Sequence, residues 1–101
     1  MAISVEFNGS VSSIFLSGKI DYGMQEDFKK AIKQVLSEEG TREIQVNFAE
    51  ATFLDSAGIR ALLILQKEAN ASGKSMLILD CNEYIRETLE IGGFDKMFTF
   101  R

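Results

Sequence analysis

The chain has 101 residues, of which 46% are hydrophobic and 26% charged, proportions that are typical of a globular protein with one core. Its net charge of −4, without a cluster of lysine and arginine, excludes the basic surface that a nucleic-acid backbone requires. The absence of histidine and the single cysteine, Cys81, exclude an internal disulfide, a zinc site of cysteine and histidine, and catalytic couples that depend on histidine.

Two short strands open the chain. The runs AISVEF (2–7) and VSSIFLSG (11–18) flank Asn8-Gly9, a dipeptide that strongly indicates a hairpin because both residues tolerate positive φ. We therefore expect an antiparallel pair at the start of the chain.

A core-facing helix is predicted from Met24, and Gly40 closes it. Its apolar residues recur at helix spacing, at Phe28, Ala31, Ile32, Val35 and Leu36. The run EIQVNF (43–48) is typical of a strand, and a short loop is expected after it.

A second helix is predicted over residues 57–71, with Gly73 ending it. Its apolar pattern places Ile59, Leu62, Leu63 and Gln66 on related faces. The apolar run SMLILD (75–80) that follows is typical of a strand covered on both sides rather than of an edge strand.

A third helix is expected in the run NEYIRETLEIGG (82–93), with Asn82 as its N-cap and the glycine pair as its end. Its inward-facing residues are predicted to be Tyr84, Ile85, Thr88 and Leu89. The run FDKMFTF (94–100) offers a last short strand.

The order of these elements predicts an α/β fold in a single domain over residues 1–101. The sheet should be mixed, with an antiparallel N-terminal hairpin and parallel later strands, and about three helices should pack on it. No run approaches the roughly 18 apolar residues of a membrane span, and the start of the chain lacks the pattern of a signal peptide. We therefore expect a cytoplasmic protein without a membrane partner.

Polar residues stand between the strand predicted at 43–48, with the loop after it, and the second helix, in the run FLDSAGIRALL (53–63). Ser56 is interpreted as an N-cap, whose hydroxyl accepts a backbone hydrogen bond, and equally as a target for modification. The two roles are compatible because a helix N-terminus favours a nearby anion such as a phosphoryl group. A catalytic role is excluded because G-x-S-x-G is absent and no histidine can take the proton.

Asp55 could instead accept a phosphoryl group, as in response-regulator receivers. That chemistry needs an acidic pair after the first strand to hold Mg²⁺, and only Glu6 is present there. Gly58 belongs to no phosphate-binding loop motif, and its expected role is a close approach of backbones at the first helical turn. Asp21 begins a turn before the first helix and could lie beside Ser56.

Four runs of the chain resemble one family. They are LSGKID (16–21), VNFAEATFLDSAGIRALL (46–63), ANASGKSMLILD (69–80) and LEIGGFDKMFTF (89–100). These runs are similar to motifs of the STAS domain, and in particular to those of the small bacterial anti-sigma factor antagonists. The Asp-Ser-x-Gly run is quite specific in this order of elements.

The resemblance implies a STAS-like fold without enzymatic activity, cofactor or metal, acting by partner switching. The unphosphorylated protein would bind an anti-sigma factor that is a serine kinase. That kinase would phosphorylate Ser56 and so break the complex, and a PP2C-type serine phosphatase would reset it. The protein itself would be a monomer or a weak homodimer.

The partner-binding edge implied by the resemblance comprises Asp21, Asp55, Ser56, Ala57, Gly58, Ile59 and Arg60. Ala57 replaces a second serine seen in many members, which leaves Ser56 as the only hydroxyl of the motif. Lys19 and Arg60 stand where many members have glutamate and glycine, so they bear on the identity of the partner.

Two other functions stay open at this point. One is a non-switching STAS scaffold subunit of a stressosome, transporter or lipid-transport complex, in which Ser56 is only a cap. The other is a sensor of a small molecule or nucleotide, although no phosphate loop is present.

Overall fold

Four strands and three helices make up the computed structural model, which describes residues 2–101. In chain order they are β1 (Ile3–Asn8), β2 (Val11–Ile20), α1 (Gln25–Ser37), β3 (Glu43–Leu54), α2 (Ser56–Ala71), β4 (Ser75–Leu79) and α3 (Glu83–Ile91). One 3₁₀ turn precedes α1 at Tyr22–Met24, and another follows α3 at Asp95–Met97. Among residues 2–101, no helix combines the length and the apolar character that crossing a bilayer requires.

The sheet is mixed, with its strands in the order β1-β2-β3-β4. β1 pairs antiparallel with β2 through the hairpin at Asn8-Gly9, whereas β2 with β3 and β3 with β4 are parallel. Each parallel pair is connected by a helix, as the crossover between parallel strands requires. The predicted α/β fold, with its antiparallel hairpin and parallel later strands, is confirmed.

The hydrophobic core lies between the helices and one face of the sheet. Alternate strand residues are buried there because successive side chains of a strand point to opposite faces. The strands contribute Ile14, Leu16, Ile44, Val46, Phe48, Met76 and Ile78, and the helices contribute Phe28, Ile32, Val35, Leu62, Leu65, Ile85 and Leu89. Burial of one such side chain favours folding by roughly 1.5–3 kcal/mol relative to leaving it in water.

The strand β3 continues to Leu54, beyond the predicted end at Phe48. Its pairing with β2 shifts register twice, between Phe15 and Ser17 and between Gly18 and Lys19 of β2. Each shift inserts one extra residue into β3, which is the geometry of a β-bulge. The bulges change which residues face the core, so the alternating pattern that indicates a strand is lost after Phe48.

The strand β4 is the last of the four, which contradicts its predicted place away from an edge. Its outer side is partly covered by the C-terminal segment. The N–H of Ile78 donates to the Thr99 carbonyl oxygen at 2.8 Å, and the N–H of Arg101 donates to the Ile78 carbonyl oxygen at 2.9 Å. The predicted last strand is therefore reduced to an isolated bridge between Ile78 and Phe100.

The helix α3 buries fewer residues than predicted. Ile85 and Leu89 are buried, but Tyr84 is 52% exposed and Thr88 is half-buried. The ring of Tyr84 stacks on Phe53 outside the core, with ring centroids 6.4 Å apart. The predicted N-cap is confirmed, because the Asn82 side chain accepts a hydrogen bond from the Ile85 N–H at 2.8 Å.

The helices α1 and α2 also differ in detail from the prediction. α1 ends at Ser37, three residues before Gly40. In α2, Leu63 and Gln66 are only half-buried, whereas Leu65 and Ala69 are fully buried. Leu65 and Ala69 lie three and seven residues after Leu62 and so belong to the same helical face.

The start of α2 lies against the end of β2 at Gly58. A Cβ atom on Gly58 would lie 2.8 Å from the Ile20 carbonyl oxygen and 2.5 Å from Cδ1 of Leu54. The N–H of Asp55 donates to the same Ile20 carbonyl oxygen at 3.3 Å. The expected close approach of backbones at Gly58 is confirmed, and it sets how near α2 comes to the sheet.

Replacing Gly58 by alanine should therefore destabilise the protein. Overpacking against the Ile20 carbonyl should cost about 1–3 kcal/mol, which outweighs the gain of up to about 1 kcal/mol from the better helix propensity of alanine. We expect Gly58→Ala to lower the free energy of unfolding measured by urea denaturation.

Gly40→Ala is the matched control for that experiment. A Cβ atom there would meet nothing within 4 Å, and Gly40 does not have a left-handed backbone conformation. Its free energy of unfolding should stay equal to that of the wild type or rise by up to about 1 kcal/mol. Equal stability of Gly58→Ala and Gly40→Ala would contradict the close approach.

Candidate functional site

The candidate site lies at the edge of the sheet where β2 and β3 end. Ile20 and Leu54 are paired as the last residues of these parallel strands. The residues that follow them, Asp21 and Asp55, are therefore brought to the same edge. The ends of the LSGKID and FLDSAG runs therefore meet in space.

Asp55 joins the two segments through both of its carboxylate oxygens. Oδ1 accepts a hydrogen bond from the Gly58 N–H at 3.0 Å and so caps α2. Oδ2 accepts a hydrogen bond from the Tyr22 N–H at 3.0 Å, across the loop between β2 and α1. Asp55 thus holds the start of α2 against that loop, and its charge suits the positive end of the helix dipole.

Ser56 is not the N-cap of α2, which corrects the sequence-based interpretation. It is the first helical residue, and Asp55 has the extended backbone and the side-chain hydrogen bond of the cap. Aspartate and serine are about equally good caps, so the sequence alone did not separate them. The side chain of Ser56 is exposed and has no part in capping the helix.

Asp21 has a local structural role. Its Oδ1 accepts a hydrogen bond from the Gly23 N–H at 3.0 Å and caps the 3₁₀ turn before α1. This turn fixes the position of Tyr22, whose N–H is held by Asp55. Asp21 and Asp55 therefore order consecutive parts of the same loop.

A groove of about 700 Å³ lies between α1 and α2 beside Ser56. Its lining combines an exposed aromatic ring, an apolar floor and two cations. The residues are Tyr22, Gln25, Lys29, Ile32, Ser56, Ala57, Arg60, Ala61 and Ile64. We call it the switch groove. Neither Lys29 nor Arg60 forms an ion pair with an acidic side chain of residues 2–101.

Of the residues assigned to the partner-binding edge, Ser56, Ala57 and Arg60 line the switch groove. Gly58 and Ile59 are buried, so they pack α2 onto the rest of the protein and offer little surface to a partner. Asp21 and Asp55 are half-buried and hold the loop.

The sequence-based prediction missed the part of the groove that α1 and its preceding turn supply. Tyr22 and Lys29 come from a segment distant in sequence from Ser56. Ile64 did leave a signal, because it is an apolar residue of α2 outside the stripe that faces the core, and it is 48% exposed. Tyr22, the aromatic residue of the groove lining, is 72% exposed.

The single cysteine, Cys81, follows β4 outside the candidate site and is not activated as a nucleophile. Burial raises the pKa of the Cys81 thiol to about 11, although the nearby positive charge of Arg86 acts in the opposite direction. The thiolate, which is the nucleophilic form of cysteine, is therefore disfavoured at neutral pH. In the part of the chain that the structure describes, no group of three or more acidic or cysteine side chains is placed to hold a metal ion.

Two known proteins match this chain over most of its length. A STAS-domain containing protein of Pseudomonas aeruginosa (strain UCBPP-PA14) is 29% identical over 91 residues, which cover 90% of this chain and 88% of that protein. The anti-sigma F factor antagonist of Paenibacillus polymyxa is 23% identical over 97 residues, which cover 96% of this chain and 83% of that protein.

The Bacillus cell fate determinant SpoIIAA, an anti-sigma factor antagonist, has been solved in two forms that resemble this structure. The unphosphorylated form has a TM-score of 0.83 at 21% identity, with 99% of this chain and 88% of that chain covered. The phosphorylated form has a TM-score of 0.76 at the same identity, with 99% of this chain and 91% of that chain covered. The family model of the STAS domain matches residues 2–101, and the chain therefore belongs to the STAS domain family.

Proposed function

We propose that the chain is a phospho-regulated partner-switching protein, an anti-sigma factor antagonist. In the unphosphorylated state it binds an anti-sigma factor that is a serine kinase. Phosphorylation of Ser56 by that kinase releases it, and a PP2C-type serine phosphatase restores the binding form. The observation that carries the proposal is an exposed Ser56 beside a groove that contains two cations without ion-pair partners among residues 2–101. The similarity to an antagonist solved in phosphorylated and unphosphorylated forms supports it.

The position of Ser56 suits a modification site. Its side chain is exposed, so a kinase can reach it without unfolding α2. Because Asp55 caps the helix, a phosphoryl group on Ser56 would not remove the cap. The start of a helix also favours an anion through its free N–H groups and dipole. The folded domain should therefore persist in both states.

Phosphorylation would change the charge of the switch groove. A phosphoserine carries about −1.5 to −2 charges at neutral pH. Arg60 lies four residues after Ser56, at the spacing that places two side chains on neighbouring turns of one helix face. The phosphate would offset the positive charge of Arg60 and Lys29, and would repel acidic groups of a partner. Like charges brought together in an interface can cost several kcal/mol.

The same groove offers a partner apolar contacts. Tyr22 and Ile64 are large and largely exposed, and the alanines at 57 and 61 leave space between them. Tyrosine and arginine are, with tryptophan, the residue types enriched among those that dominate binding energy in interfaces. We infer that Tyr22 and Arg60 anchor the partner and that Ser56 lies at the rim of the contact.

The proposed role is one of binding and not of catalysis. Among residues 2–101, the Ser56 hydroxyl forms no hydrogen bond with a side chain that could act as its general base. The nearest acidic side chain in sequence, Asp55, uses both oxygens in hydrogen bonds to backbone N–H groups. Ser56 is thus suited to be a substrate for another enzyme rather than a nucleophile.

Substitutions at Ser56 test the switch. Ser56→Ala should bind the cognate serine-kinase anti-sigma factor as tightly as the unphosphorylated wild type, because no charge is added. Ser56→Asp should bind at least about tenfold more weakly, which corresponds to about 1.4 kcal/mol. Isothermal titration calorimetry with the purified kinase, in the absence of ATP hydrolysis, measures both affinities.

Ser72→Asp is the matched control, because it adds the same charge at an exposed position at the other end of α2. Its affinity should equal that of the wild type. Equal affinities of Ser56→Ala, Ser56→Asp and wild type would refute the switch and would leave the non-switching scaffold as the function to test next.

The cation of Arg60 should contribute to partner binding before any phosphorylation. We expect Arg60→Ala to weaken binding of the kinase by about fivefold or more, since truncating an interface arginine often costs more than 1 kcal/mol. The affinity of the variant should also depend less on salt concentration. Arg42→Ala is the control. Arg42 is exposed just before the start of β3, whereas the candidate site lies where β3 ends. Equal losses for the two variants would show that Arg60 has no specific role.

A further inference from the structure

The strand β1 forms a second surface, distinct from the switch groove. It is the outermost strand opposite β4, and among residues 2–101 only β2 pairs with it. The outer side of β4 is partly covered by the C-terminal bridge at Phe100, whereas no such segment covers β1 in the described part of the chain. A free strand edge is a template on which another extended segment can pair.

The register shows which backbone groups of β1 point outward. The Ala2 carbonyl accepts a hydrogen bond from the Ser17 N–H at 2.7 Å, and the pairing continues without a shift from Ile3 opposite Leu16. In an antiparallel pair, hydrogen-bonded and non-hydrogen-bonded residues alternate. The backbone N–H and C=O groups of Ile3, Val5 and Phe7 are therefore turned away from β2.

This edge lacks the features that usually prevent strand addition. Proteins often protect edge strands with proline, inward-pointing charges, lysine or a bulge. β1 contains no proline and no lysine, and its pairing with β2 has no register shift. Its one charged residue, Glu6, alternates with Val5 and Phe7 and so lies on the opposite face of the sheet from them.

A groove of about 550 Å³ lies beside this edge, between Phe7 and the flank of α1 that faces away from the switch groove. Its lining consists of Phe7, Lys30, Lys33, Gln34, Ser37 and Glu38. We call it the edge groove. Phe7 is 50% exposed although it shares its face of β1 with the buried Ile3. A large apolar ring is thus left uncovered next to free backbone groups.

The charge of the edge groove indicates which segment fits it. Lys30 and Lys33 are three residues apart, so they are neighbours on the surface of α1. Neither forms an ion pair with an acidic side chain of residues 2–101, and Glu38 is the one acidic residue in the lining. The groove therefore has a positive excess on a chain whose net charge is −4.

We propose that β1 and the edge groove bind an extended acidic segment of another protein by strand addition. The backbone of that segment pairs with Ile3, Val5 and Phe7. Two carboxylates at alternate positions, about 6.6–6.8 Å apart along a strand, face Lys30 and Lys33. An apolar side chain two positions further on covers Phe7. This surface is separate from Ser56, so the proposal does not depend on the proposed phospho-switch.

A second copy of the chain fits this surface less well. Antiparallel addition of another β1 would turn Ile3, Val5 and Phe7 of that copy toward the lysines. Its Glu6 would lie on the opposite face, so Lys30 and Lys33 would gain no carboxylate. The charge of the groove therefore favours an acidic segment over a symmetric dimer.

The test uses a synthetic peptide and the full chain labelled with ¹⁵N. The peptide acetyl-Thr-Glu-Thr-Glu-Thr-Leu-Thr-amide carries two glutamates and a leucine on one face of a strand. We expect it to shift the amide resonances of Ile3, Val5 and Phe7, with a dissociation constant below about 1 mM. The same peptide with lysine in place of glutamate should bind at least about tenfold more weakly.

Charge reversal on the protein completes the test. Lys30→Glu/Lys33→Glu should weaken binding of the glutamate peptide by about tenfold or more. Lys67→Glu/Lys96→Glu, which changes two exposed lysines elsewhere, should leave it unchanged. Equal binding of the two peptides, or no shift at β1, would overturn the proposal. Shifts at β1 that grow with protein concentration in the absence of peptide would also overturn it, because they would assign the edge to a second copy.

Discussion

The carboxylate of Asp55 holds together the two segments on which the candidate site depends. One oxygen caps α2 through the Gly58 N–H, and the other accepts the Tyr22 N–H from the loop before α1. These bonds fix α2 relative to α1, because Tyr22 begins the 3₁₀ turn that leads directly into α1. The close approach at Gly58 adds the third constraint, since only a residue without a Cβ atom brings α2 so near the Ile20 carbonyl. The shape of the switch groove follows from this arrangement.

Because Asp55 provides the cap, Ser56 is not needed to cap α2, and its side chain is exposed at the rim of the groove. A side chain that makes no contact on which the fold depends can be modified without unfolding the protein. A reversible switch requires this. In the proposed mechanism the phosphate acts through charge, on Lys29 and Arg60, and not through a change of fold. The helix α1 separates this surface from the edge groove, so the two proposed binding surfaces lie on opposite flanks of a single helix.

The sequence predicted those features that depend on local signals. Asn8-Gly9 indicated the hairpin, and the spacing of apolar residues indicated the helices, because both depend on near neighbours. The end of β3 was missed because two bulges shift the alternation that marks a strand. The choice between Asp55 and Ser56 as cap depends on the Tyr22 N–H, which lies 33 residues away in the chain. Lys29 was missed as a site residue for the same reason, since only the packing of α1 on α2 brings it near Ser56.

The most direct test of the proposed phospho-switch is the affinity of the proposed partner, a serine-kinase anti-sigma factor, for two forms of the full chain. One form carries phosphoserine at position 56, incorporated during synthesis and verified by intact mass, and the other carries unmodified Ser56. Circular dichroism should give the same fold and thermal stability for both forms. We expect tight binding of the unmodified form and binding weakened by about 100-fold or more for the phosphorylated form, which corresponds to about 2.7 kcal/mol. Equal affinities of two equally folded forms would contradict the proposed switch.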